Sequence, residues 1–141
     1  MDRQKELQEI EERQLTSVMN KTKWGELRRA VANTFLFEPP YQTKYVLEDT
    51  PDPEFLSKTA YESGDWDDGF PYPTSSIEWI RLRPKVLVYK GAIVEPDVCD
   101  MTDELISILT KERIPFIQDN EMIQIFGYVR DTGIFEPKLD A

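Results

Sequence analysis

The chain has 141 residues, 40% hydrophobic and 11% aromatic, with no histidine, one cysteine and a formal net charge of −10. A single domain with a real core follows, since a chain of this length buries roughly 68–70% of its unfolded surface. The missing imidazole excludes Ser–His and Cys–His nucleophiles and the usual zinc sites, and the acidic balance disfavours nucleic acid and anionic membrane, whose phosphates need Lys and Arg.

Residues 1–18 carry a thin apolar series, Leu7, Ile10, Leu15 and Val18, among five acids and three bases. This reads as a polar helical extension or tail, or as a helix that docks on a partner or a second copy of the chain. Met19 followed by Asn20-Lys21-Thr22-Lys23-Trp24 could also be an internal start. A firmer helix follows. Thr22 can cap it, and Trp24, Leu27, Val31 and Phe35 recur on one face, which makes Trp24 a core anchor. Pro39-Pro40 ends it by Phe37.

Gln42–Leu47 is rich in β-formers and reads as a strand. From Glu48 to Asp68 the composition turns acidic, with eight acids against one base, Lys58. A short helix fits Glu54–Tyr61, within a long surface excursion that is either functional or disordered.

The second half alternates more clearly. Ser76–Arg83 reads as a strand, Pro84-Lys85 as a turn and Val86–Lys90 as its hairpin partner, with Ala92–Val94 extending the pairing after Gly91. Asp100 or Thr102 then caps a helix with the apolar stripe Met101, Leu105, Ile108 and Leu109. Ile114–Ile117 leads into a strand, Asp119-Asn120 turns, and Met122–Val129 is the last strand. Residues 131–141 read as a loose tail, with Ile134 and Phe135 tucked back. The sum is one α+β domain over residues 19–130: a mostly antiparallel sheet of four or five strands with helices on one face, preceded by an N-terminal helical segment. A β-α-β crossover from Val86 to Ile117, giving a mixed sheet, is the alternative.

Few residues are left to carry chemistry. Cys99 precedes a helix start, but Asp97 and Asp100 oppose a thiolate there, and one cysteine allows no intramolecular disulfide. No glycine-rich phosphate cradle is present among the six glycines. No apolar run approaches the ~20 residues that span a bilayer, and the opening Met1–Glu6 is too polar for a secretory signal. A cytoplasmic protein without cofactor is the expectation.

The stretch Glu62-Ser63-Gly64-Asp65-Trp66-Asp67-Asp68-Gly69-Phe70-Pro71-Tyr72-Pro73 is the most distinctive in the chain. Its carboxylates could hold a hard cation or serve a small carboxylate enzyme. The EF-hand pattern fails, because the loop's sixth position from Asp65 is Phe70 and its twelfth is Ser76. As a binding surface, Trp66, Phe70 and Tyr72 supply ring area while Glu62, Asp65, Asp67 and Asp68 complement a basic groove on another protein. Alternatively, the rings fold back onto the sheet. The lead expectation is a non-enzymatic protein-binding or inhibitory protein using these seven residues. Self-association through residues 1–18 is the third reading.

The block Met19-Asn20-Lys21-Thr22-Lys23-Trp24-Gly25-Glu26-Leu27-Arg28, with Ile77-Glu78-Trp79-Ile80 further on, resembles an uncharacterised family of small acidic bacterial proteins that open with Asn-x-Thr-Lys-Trp-x-Glu-Leu. The resemblance spans about residues 19–130 and leaves residues 1–18 outside; it implies no established activity. By size and charge the chain is also similar in class to the immunity partners of bacterial toxins.

Overall fold

In the computed structural model, residues 2–56, 64–88 and 90–135 are described. The chain opens with a helix, α1 (Arg3–Glu12), and a short strand, β1 (Thr16–Ser17). The amphipathic helix α2 (Lys21–Thr34) follows. Its cap is Asn20 and not the expected Thr22: the Asn20 carboxamide accepts from the Lys23 amide at 2.8 Å. Asparagine fits the extended backbone before a helix as well as threonine does, and here it stands at the right distance from the first orphan amides. Trp24, Leu27 and Val31 face the core as their spacing predicts.

The central sheet holds β2 (Tyr41–Tyr45), β3 (Ile77–Leu82), β7 (Met122–Phe126) and β6 (Phe116–Asp119), in that spatial order and antiparallel throughout. The α+β class with helices on one face holds. Ile80 and Leu82 pair with Ile125 and Ile123, and all four are fully buried. They pack with α2 and with α3 (Thr102–Lys111), whose Leu105, Ile108 and Leu109 point inward. Asp100 sits one residue ahead of the helix cap, and its carboxylate accepts from the amide and the hydroxyl of Thr102.

The expected hairpin between β3 and the next strand does not form. A strand has two hydrogen-bonding edges, and those of β3 are taken by β2 and β7. The strand β4 (Lys85–Val88) instead pairs with β5 (Asp97–Asp100) in a separate two-stranded ribbon. Ala92–Val94, expected to extend the pairing, lie in the turn of that ribbon, and Ile93 is 99% exposed. No parallel pair occurs among the described residues, so the mixed-sheet alternative is not the one adopted.

The last strand is also interrupted. Met122–Phe126 stays in the sheet, and β8 (Tyr128–Val129) leaves it to pair with β1. Gly127 sits at the break, its amide donating to the Glu78 carbonyl and its carbonyl accepting from the Val18 amide. The first eighteen residues are therefore tied to the body by more than one bond: Arg3 donates to the Ser75 carbonyl, Arg13 reaches Glu78, and Glu6 is buried. At the other end Phe135, in a short 3-10 turn, sets its ring edge-on to Phe126 at 5.6 Å. Of the helix expected over Glu54–Tyr61, residues 57–61 lie outside the described residues.

Candidate functional site

Over residues 64–73 the acidic-aromatic stretch is a loop whose Trp66 and Phe70 rings point inward and whose Asp65, Asp67 and Asp68 side chains are exposed. Trp66 is 2% exposed and Phe70 5% exposed, both within the main core cluster. The expectation that these two rings meet a partner is thereby corrected: an indole and a phenyl gain more from leaving water for the core than from lying on an acidic surface. Trp66 stands edge-on to Tyr41 at 5.4 Å and tilted over Phe70 at 5.4 Å, and Phe70 also meets Trp24. Of the expected rings only Tyr72 is on the surface, 83% exposed. Glu62 lies outside the described residues.

The polar atoms of the loop explain why it folds this way. The Trp66 indole N–H donates to the Pro39 carbonyl at 2.7 Å, and its amide donates to a Glu38 carboxylate oxygen at 3.1 Å. The Gly64 amide donates to the Glu38 carbonyl. Arg28 of α2 donates to the Trp66 carbonyl at 3.1 Å and the Asp67 carbonyl at 2.7 Å, with its guanidinium 4.8 Å from the centre of the Phe70 ring. The Tyr41 hydroxyl donates to the carbonyls of Asp65 and Gly69. Asp65 closes the turn, accepting from the Asp67 amide at 3.0 Å. Helix, strand and loop are thus joined through backbone carbonyls, and the loop is held in one shape.

That arrangement leaves the side chains of Asp67 and Asp68 in solvent. Among the described residues no cation pairs with them or with Asp65. Arg28 directs its Nε and one Nη at the carbonyls of Trp66 and Asp67. Burial, followed by the charge of Asp65, pushes the Tyr41 phenol up to about 12. The carboxylates do not converge: among the described residues no three acids or thiols come together in a way that could hold a metal ion.

Two further features lie close by. Tyr72 stands at the rim of a cavity of about 320 Å³ that also touches Trp24, Lys21 and Tyr128. On the sheet, Glu78 is held by Arg13 at 2.7 and 2.9 Å and by Lys44 at 2.7 Å. Sequence reasoning missed this triad, as it missed Arg28, Glu38 and Tyr41 as supports of the loop. The one available signal was a basic residue, Arg28, beside the apolar stripe of α2.

Residues 7–132 match the model of a family of unknown function, DUF6678, and the chain belongs to that family. The match begins at residue 7, ahead of residue 19 where the resemblance was expected to start. No curated protein and no solved structure matches the chain. Among the described residues no helix is long and apolar enough to cross a membrane.

Proposed function

We propose that this protein binds a positively charged protein partner through the outer face of the Asp65–Tyr72 loop. The observation that carries this reading is a loop locked by Arg28, Tyr41 and the buried Trp66 that presents the carboxylates of Asp65, Asp67 and Asp68 with no ion pair among the described residues, Arg28 reaching the loop's carbonyls instead. A preorganised acidic surface of this kind loses little freedom on association, and its charge steers a basic partner toward it. Tyr72 supplies the exposed ring that an interface of carboxylates otherwise lacks. A cationic enzyme that grips phosphate is the fitting partner class, because surface carboxylates can stand in for phosphate charge. Inhibition of such an enzyme, in the manner of an immunity protein, is the role this implies.

The test compares partner capture by the wild-type protein with capture by an Asp67→Lys, Asp68→Lys double variant of unchanged melting temperature. The reading expects a captured cationic protein that is released by salt and missing from the variant. Identical capture by both would sink it.

A further inference from the structure

We propose that the hollow between β2 and the acidic loop receives a single cationic side chain, an arginine or a lysine, from the protein partner. The proposal rests on the reading above for the source of that side chain. Side chains two apart on a strand share a face, and Tyr41, Thr43 and Tyr45 together form one wall of a hollow of about 390 Å³. Asp52 and Asp65 stand on its other sides. Asp52 is placed there by the backbone, since Thr43 and Asp52 exchange amide–carbonyl bonds of 2.9 and 2.8 Å.

Three observations give the hollow its chemistry. The first is unbalanced charge. Among the described residues neither Asp52 nor Asp65 pairs with a cation, and Lys44, the one base on β2, is engaged with Glu78. The negative field is felt inside: after burial, Asp65 is the next cause raising the Tyr41 phenol and Asp52 the next raising that of Tyr45, with Glu48 adding to the latter. Arg28 opposes this at Tyr41, yet the two hydrogen bonds it makes go to the carbonyls of Trp66 and Asp67 and neither to a carboxylate of the hollow.

The second is an orphan hydroxyl. Thr43 is 3% exposed, and its Oγ1 is buried with no hydrogen-bond partner. A buried polar atom without a partner is costly unless something fills the need, and a guanidinium or ammonium N–H donates where this oxygen can accept. The third is the presence of two tyrosine rings, which attract a cation beyond what the carboxylates provide. A neutral apolar side chain would satisfy none of the three.

The experiment titrates N-acetyl-arginine amide and N-acetyl-lysine amide, with N-acetyl-norleucine amide as the neutral control. Backbone amide NMR shifts are read at low salt in the wild type, Asp52→Asn and Thr43→Val. The expected result is saturable shifts at Thr43, Tyr45 and Asp52 with a cationic probe alone, and binding weakened by about tenfold in Asp52→Asn, the loss of one charge contact. Equal shifts with the neutral probe, or an unchanged affinity in Asp52→Asn, overturn the proposal. Partner capture separates the two readings. A partner held at full strength by Asp52→Asn overturns the hollow and leaves the acidic face standing. Probe binding without any partner captured through Asp67 and Asp68 overturns the partner reading and, with it, the protein source of the cation.

Discussion

Arg13 and Glu78, 65 residues apart in the chain, meet through two hydrogen bonds of 2.7 and 2.9 Å, so that the end of α1 is fastened to the central sheet. Lys44 approaches the same carboxylate at 2.7 Å. Burial works against charge on Glu78, but the bonds from Arg13 and Lys44 outweigh it and hold the carboxyl below its ordinary 4.5. A depressed carboxyl stabilises the fold above its unfolded value and loses that contribution as pH falls through the folded one. Acidification below about 4.5 is therefore expected to lower the urea midpoint of the wild type more steeply than that of Glu78→Gln. At neutral pH, Arg13→Ala should cost about 1–2 kcal/mol, less than a fully buried pair because the arginine is partly solvated. Equilibrium unfolding at several pH values reads both effects.

Loop stability and loop binding should separate by residue. Trp66→Ala empties a core position and leaves the Pro39 carbonyl without its donor, and a loss of about 3–5 kcal/mol is expected in urea unfolding. Asp67→Asn and Asp68→Asn remove only solvated charge and should stay within about 0.5 kcal/mol of the wild type. A binding defect in the two asparagine variants, at unchanged stability, is the signature of a surface that acts on something outside the chain.

The Tyr41 phenol, raised from 10.0 to about 12, gives an alkaline counterpart. The folded state holds this proton more tightly than the unfolded chain, so the contribution is complete below 10 and is lost as pH rises toward 12. Stability between those pH values should fall more gently in Tyr41→Phe. Ultraviolet titration should show fewer tyrosinates forming near 10 in the folded wild type than the tyrosine content allows, Tyr41 and Tyr45 both being held back, and Tyr41→Phe should remove the component that ionises toward 12.

Gly127 is required for close approach. A methyl group there would run into the Ile77 carbonyl, a backbone atom that cannot swing away. Gly127→Ala should destabilise by about 1–3 kcal/mol, the usual range for overpacking. The loss should appear with equal size in fluorescence and circular dichroism melts, because the site lies where β7 hands over to β8.

The helices were legible because their evidence is local. Trp24, Leu27 and Val31 in α2, and Leu105, Ile108 and Leu109 in α3, announce one apolar face in a short window. The sheet strands announced themselves too, but their partners did not. Val86–Val88 looks like the return strand of β3 until one knows that Tyr41–Tyr45 and Met122–Phe126 occupy both edges of β3. Pairing of that kind is decided by segments far apart in sequence. The loop shows the same limit. Asp65–Phe70 declares acids and rings, yet the direction of Trp66 depends on the carbonyl of Pro39, 27 residues away. Composition located the surface, and long-range hydrogen bonding decided which of its side chains remain on it.

The ribbon of β4 and β5 carries a consequence for motion. Among the described residues its strands hydrogen-bond to each other and to no third strand, and Ile93, Val94 and Val98 near its tip are left in water. Such a unit can open without disturbing the Ile80–Ile125 centre of the sheet. Deuterium should enter the amides of Val86–Val88 and Val98–Asp100 through a shallow local opening, while those of Ile80 and Ile125 wait for the whole molecule to unfold. Cys99 sits opposite Val86 in that ribbon, so the rate at which a thiol reagent labels it should report the same opening.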